Sequence, residues 1–204
     1  MPIISRNKDG FVSILNKENE ASVFYTTDGT EPGITSQKYT HGFSFLERGV
    51  IKAITISNNG LNSSEVNSIQ FDIAPVKWNL LAPLTAEAIK AIDGIPHSIA
   101  YLKPQESLII DFGENLFINE LIYYPENSES ASNILVYDLY LSVDGIKWEL
   151  IKHHGSFDNI KNNPVLQRIK LNSTVKARFL KMDPVEFSNA GDLYSIGEVT
   201  VVTH

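Results

Sequence analysis

An all-β chain of two domains is what three observations predict. Short runs rich in Val, Ile, Phe, Tyr and Thr recur along the whole 204 residues. Asp-Gly or Asn-Gly pairs punctuate them, at Asp9-Gly10, Asp28-Gly29, Asn59-Gly60, Asp93-Gly94 and Asp144-Gly145. Both residue types tolerate the positive φ that two-residue hairpin turns require. Only one segment carries a helical signature.

In chain order, strands are predicted at Phe11–Leu15, Val23–Thr27, Gly42–Leu46, Val50–Ser57 and Val66–Ile73. A second series follows at Ser107–Phe112, Ile118–Tyr124, Val136–Val143, Trp148–Lys152, Val165–Leu171, Ala177–Met182 and Ile196–Val202. Period two is clearest in Val136–Val143, where Leu139, Leu141 and Val143 point one way and Asp138, Tyr140 and Ser142 the other, as in a half-buried antiparallel strand. Thr85–Ile92 reads as a short helix. Thr85 serves as N-cap, three alanines favour it, and Gly94 lies past its end. The first series stops at Ala74-Pro75-Val76, which places domains at 1–74 and 75–204. Trp148, just after a hairpin turn, is expected in the core, and Trp78 sits at the domain junction.

Composition narrows the function. There are 17 Lys and Arg against 24 Asp and Glu, a net charge of −7. Such a balance lacks the clustered cations that phosphate neutralisation needs, so no nucleic-acid partner is expected. Without cysteine there is neither a disulfide framework nor a thiolate zinc site. No apolar run approaches the roughly 18 residues of a membrane helix, and Met1–Arg6 has no signal-peptide pattern. The chain is shorter than the roughly 250 residues of a (β/α)₈ enzyme. It contains no G-x-S-x-G, H-E-x-x-H or P-loop motif, and no acidic pair is framed by a catalytic motif. Catalysis by this chain is not expected. His153-His154 is the one tempting metal pair. On a regular strand, adjacent side chains point to opposite faces, so the pair reads as an exposed loop or strand end.

The segment Phe24-Tyr25-Thr26-Thr27-Asp28-Gly29-Thr30-Glu31-Pro32 resembles the signature of the chitobiase/β-hexosaminidase C-terminal domain family. Asp9–Ile14, Gly49-Val50-Ile51-Lys52-Ala53 and Ser63–Val66 match other parts of that pattern. The resemblance covers residues 1–74 and implies an immunoglobulin-like β-sandwich serving as scaffold and spacer. The second part resembles the factor V/VIII C-type, or discoidin-like, family. Ala91–Gly94, Leu108–Gly113, Ser142–Trp148, Ala177–Met182 and Ile196–Val199 occur in the family's order. That resemblance implies a β jelly roll.

It also implies sites. In sugar-binding members a structural calcium ion lies between a D-G-x-x-x-T loop and a Glu near the C-terminus, here Asp93, Ser98 and Glu198. Galactose-type members use a His, an Arg and an Asn, where this chain carries Tyr101, Glu126 and, loosely, Asn133. The glycan-binding residues implied are Tyr101, Tyr124, Glu126 and Asn127, with Phe157 or Tyr194 as further aromatic candidates. The order of the two domains is similar to the C-terminal region of bacterial β-N-acetylhexosaminidases or α-L-fucosidases. The expectation is therefore an extracytoplasmic, non-catalytic part of a larger glycoside hydrolase, with glycans and the parent's catalytic domain as partners. The alternative is a purely structural support packed on that catalytic domain.

Overall fold

The computed structural model describes residues 1–18 and 20–204, which divide into two compact units, Met1–Val76 and Lys77–His204. The division falls two residues beyond the boundary drawn from the sequence.

Among the described residues, seven strands build the first unit: β1 (Ile3–Arg6), β2 (Phe11–Leu15), β3 (Ala21–Thr26), β4 (Gln37–Lys38), β5 (Phe43–Ser44), β6 (Gly49–Ser57) and β7 (Asn67–Phe71). They form two sheets, ordered β1-β2-β5 and β4-β3-β6-β7. Alternation supplies the inward faces: Ile4, Val12 and Ile14 from one sheet meet Val23, Tyr25, Ile51 and Ala53 from the other in a single core. The Tyr25 ring stacks on Phe43 at 4.7 Å. Three residues on, Asp28 accepts hydrogen bonds from the Thr30 hydroxyl (2.6 Å) and amide (3.0 Å), which hold its carboxyl below the usual carboxylate range. The Phe24–Pro32 signature is thus a turn built on a buried ring, a structural device.

The second unit contains β8 (Asn79–Ala82), β9 (Ala100–Leu102), β10 (Leu108–Tyr124), β11 (Ile134–Ser142), β12 (Glu149–Ser156), β13 (Gln167–Phe187), β14 (Tyr194–Ile196) and β15 (Glu198–Thr203). The large sheet runs β12-β11-β13-β10-β15, with β8 also on β10, and β14 pairs with β9 in a second, smaller sheet. This is the discoidin-like jelly roll expected. Its core includes Leu108, Ile110, Phe112, Leu139, Leu180 and Met182.

Several local expectations are corrected. The helix shrinks to a 3₁₀ turn, Ala88–Ile92, because eight residues cannot hold an α-helix without strong packing. Thr85 still serves its start, its hydroxyl accepting the Ala88 N–H at 3.1 Å. The predicted strands Ser107–Phe112 and Ile118–Tyr124 merge into one 17-residue strand that begins at Leu108, and Val165–Leu171 and Ala177–Met182 merge into one of 21 residues that begins at Gln167. Register shifts between Asp111 and Leu116 and between Ile118 and Glu120 absorb the bend without ending the ladder. At the end of β11, Ser142 is buried and Val143 is exposed, the reverse of strict alternation. The Ser142 hydroxyl turns inward to accept the Gly145 N–H (2.9 Å) and closes the hairpin. Trp148 is half-buried on the sheet surface, where Lys181 Nζ lies 5.8 Å from its ring and 4.1 Å from that of Tyr140. Trp78 is the buried tryptophan, tilted against Phe112 at 4.8 Å inside the second unit.

Candidate functional site

All five turn glycines predicted from the sequence adopt positive φ, Gly94 at 80° among them. Gly94 opens the loop that carries the first set of site residues. There Asp93 accepts the Ile95 N–H at 2.8 Å, and Ser98 donates its own N–H to the Ile95 carbonyl at 2.8 Å. Glu198, at the first position of β15, reaches across 104 residues to accept the Gly94 N–H at 3.0 Å. Its side chain is nearly sealed from water (3% exposed). Burial first, and then the charge of Asp93, push the Glu198 carboxyl up to about 9. The structure therefore brings Asp93 and Glu198 together, and holds Ser98 in the same loop.

Two carboxyl groups packed this way need a proton or a cation between them. The donor set is oxygen throughout, namely carboxylates, a serine hydroxyl and loop carbonyls, which suits a hard cation such as calcium. Gly197 seats the loop. A Cβ there would lie 2.6 Å from the Pro96 carbonyl oxygen and 3.0 Å from that of Tyr124. Tyr124 is half-buried and stands opposite Glu198 in the β10–β15 ladder. Its hydroxyl is pushed up by burial and then by the Glu198 charge, so it belongs beside this carboxylate pair.

The second set lies on the β9 and Pro125–Asn133 segments. β9 alternates buried, exposed, buried, so Tyr101 projects outward at 42% exposure while Ala100 and Leu102 enter the core. The Tyr101 hydroxyl donates to Glu126 Oε1 (3.2 Å), and the Ser128 hydroxyl donates to the same oxygen (2.9 Å). The loop is clamped by Asn133, which is buried. Its Oδ1 accepts the Glu126 N–H (2.8 Å), and its Nδ2 donates to the Glu126 carbonyl (2.9 Å). Ser188 and Asn189 hold the base of that loop by donating to the Ala131 carbonyl at 3.0 and 2.7 Å. Asn133 is thereby a positioning residue for Glu126. Asn127 follows at the exposed tip.

Burial and then the Glu126 charge raise the Tyr101 hydroxyl, and the Lys90 ammonium opposes them. Lys90, ion-paired with Glu87 at 2.6 Å on the 3₁₀ turn, is thus a cation within reach of Tyr101 that sequence reasoning missed. Its only signal was its place on the predicted helix. Ser128 was missed as well. Phe157 and Tyr194, considered as aromatic platforms, are core residues. Phe157 lies between Tyr123 (4.5 Å) and Tyr137 (4.6 Å), and the buried Tyr194 donates its hydroxyl to the Glu106 carbonyl at 2.9 Å.

A third cluster lies on β11 and β12. Asp138 Oδ1 is 3.1 Å from His153 Nδ1 and 3.5 Å from His154 Nδ1, and it accepts the His154 N–H at 2.6 Å. That amide holds the Asp138 carboxyl below the usual carboxylate range. The expectation that the two histidines face apart is wrong, because the strand is bulged at this point.

The model of the F5/8 type C domain matches residues 85–199, and one described as Fn3 associated matches residues 12–71. No curated protein matches the sequence. Among solved structures, CpGH89CBM32-5 from Clostridium perfringens, in complex with GalNAc-β-1,3-galactose, is 26% identical. The match covers 62% of this chain and 94% of that one, with a TM-score of 0.51. The family 32 CBM of C. perfringens NanJ, in complex with galactose, is 18% identical over 62% and 94% of the two chains, with a TM-score of 0.53. The C-terminal domain of a Bacteroides fragilis chitobiase is 21% identical over 65% and 97%, also with a TM-score of 0.53. Among the described residues, no helix is long and apolar enough to cross a membrane.

Proposed function

Since the chain belongs to the F5/8 type C family through residues 85–199, more than half its length, we propose that its second unit is a non-catalytic carbohydrate-binding module of a secreted glycoside hydrolase. Its task is to raise the effective concentration of the parent enzyme at its glycan. The observation that carries this reading is the exposed Tyr101 ring hydrogen-bonded to Glu126 on a clamped loop. An aromatic face with fixed polar groups beside it is what sugar recognition requires.

The chemistry also selects the sugar. A carboxylate accepts hydrogen bonds from hydroxyls and repels other anions. With Glu126 where galactose-type relatives carry an arginine, the fitting ligand is a neutral sugar offering hydroxyl donors, not a uronic or sialic acid. The galactose-containing ligands of the Clostridium modules are of that neutral class. Asp93 and Glu198, with Ser98 and loop carbonyls, would hold a calcium ion that replaces the shared proton and stiffens the loop. The Phe24–Pro32 signature favours a β-N-acetylhexosaminidase of the chitobiase type as the parent, with an α-L-fucosidase next.

A second reading is favoured by one face of the first unit. Ile3 and Leu15 pair directly across β1 and β2, and both are exposed, as is Phe11. An apolar outer face of this kind suits packing against a catalytic domain.

A glycan array followed by titration of the chain in calcium tests the proposal. Binding to neutral glycans is expected, with at least about a tenfold loss in Tyr101→Ala, the equivalent of about 1.4 kcal/mol. Tyr101→Phe keeps the ring and is expected to lose less. A blank array at high protein concentration sinks the module reading and leaves the support role.

A further inference from the structure

We propose that Asp138, His153 and His154 form a binding site for a divalent transition-metal ion of the zinc class, held by one carboxylate and two imidazoles, with the remaining position open to water. Among the described residues, this is the one group of three or more such side chains whose ligand atoms all lie within 4.8 Å of one another.

The backbone builds it. Tyr137 pairs with Gly155 and Leu139 pairs with Lys152, so the single residue Asp138 stands opposite both His153 and His154. That two-against-one count is a β-bulge. His154 adopts φ of 48°, in the left-handed region, which turns its ring to the same side as that of His153. The ring centroids come to 4.0 Å. Gly155 permits the bend, since a Cβ there would lie 2.7 Å from the buried Tyr137 ring.

The separations have the size of a coordination sphere. The three ligand atoms are 3.1, 3.5 and 3.1 Å apart, the last between the two Nδ1 atoms. Zinc–nitrogen and zinc–oxygen bonds of ~2.0–2.1 Å at tetrahedral angles put neighbouring ligands about 3.3 Å apart. Hydrogen bonding alone does not satisfy this triangle. Each imidazole Nδ1 has one in-plane position, for either a proton or a lone pair, yet each Nδ1 here faces two partners. One cation among three lone pairs satisfies all of them. Two nitrogens with one oxygen suit zinc, nickel, copper or cobalt and are a poor set for calcium or magnesium.

Charge on the same face agrees. Asp183 lies directly across the ladder from Asp138, and like charges in that position repel. Lys181 neutralises Asp183 at 3.0 Å, which leaves the histidine pair to balance Asp138. The histidine side chains are 65% and 56% exposed, so an ion can enter from solvent. Asp138 lies five residues beyond the Asn133 clamp, which immediately precedes β11, or about 16 Å of extended chain. The metal is therefore separate from the Tyr101–Glu126 pair.

The test is calorimetric titration of the untagged 204-residue chain with Zn²⁺, in excess Ca²⁺ so that the oxygen site is saturated. One equivalent is expected to bind saturably. His154→Gly removes a ligand and also relieves the left-handed strain, so this variant folds at least as well as the parent chain. Its zinc affinity is expected to fall at least about tenfold, by comparison with the loss of outer-shell partners alone at metal sites. His153→Gln is expected to behave likewise, with an unchanged melting temperature. The absence of saturable binding overturns the proposal. So does one equivalent retained in His154→Gly, which puts the ion on the remaining histidines.

Discussion

Glu198→Gln is expected to make the calcium-free chain more stable than the parent above neutral pH, and to abolish any stabilisation by calcium. The sign follows from the shift. The folded carboxyl sits at about 9, against an ordinary value of 4.5, so the folded state holds a proton that the unfolded state has released. Its contribution is complete below the unfolded value and is lost as pH rises through the folded one. Across that window the calcium-free chain loses stability by as much as about 1.4 kcal/mol per pH unit. Near pH 8 the deficit reaches a few kcal/mol. Glutamine carries no charge at any pH. Its carbonyl still accepts the Gly94 N–H, and its amide can donate toward Asp93. The pH slope should therefore flatten. In the parent chain the proposed calcium ion would fill the same role as the proton, and ligand at a hundredfold excess over Kd would add about 2.7 kcal/mol. Urea unfolding at pH 6 and 8, with calcium and with chelator, measures all of this. A variant that is weaker than the parent at pH 8 in chelator, and still stabilised by calcium, refutes the assignment of Glu198 as a ligand.

Much of this site was readable because it depends on turns and on ordered motifs. Asp93-Gly94 announces a left-handed turn by composition alone, and the structure has it. Tyr101 and Glu126, and likewise Asp93 and Glu198, are far apart in sequence. They were paired only through the resemblance, since nothing in their local pattern says that they meet. The unreadable parts are those where regular alternation fails. The irregularities within β10 and β13 shift the register by three residues each, since Asp111 to Leu116 spans only Phe179 to Ala177 and Val175 to Lys170 spans only Ile118 to Glu120, and they leave no compositional mark, so long bent strands read as pairs of short ones. The same irregularity hid the histidine cluster. Two consecutive residues with period two must diverge, and only the bulge opposite Asp138 makes them converge. Trp148 was misplaced for a different reason. A large aromatic after a hairpin is a natural core candidate, but here the ring stays half-buried, with Lys181 Nζ 5.8 Å from its centroid.

Gly197→Ala is expected to cost about 3 kcal/mol and to weaken both loops of the site together. The clash is with backbone on every side: the added Cβ meets the carbonyl oxygens of Pro96 at 2.6 Å, Tyr124 at 3.0 Å and Pro125 at 3.3 Å. No side chain can rotate away to relieve it, and overpacking of this kind is resolved only by moving main chain. The Gly197 N–H also donates to the Tyr124 carbonyl at 2.8 Å, so pushing that carbonyl away breaks this backbone hydrogen bond as well. Pro96 belongs to the loop carrying Asp93, and Pro125 immediately precedes Glu126. Both therefore shift, the first away from Glu198 and the second away from Tyr101. For a unit of this size the loss corresponds to a fall in melting temperature of roughly 10 °C. Calcium stabilisation and glycan affinity should decline in the same variant. Gly191→Ala is the control: its nearest neighbour is 3.5 Å away, and its effect is expected within about 0.5 kcal/mol. Calorimetric melting of the two variants side by side decides the matter. If Gly197→Ala melts with Gly191→Ala, the loops are not seated on Gly197, and the coupling between the carboxylate pair and the Tyr101–Glu126 pair fails with it.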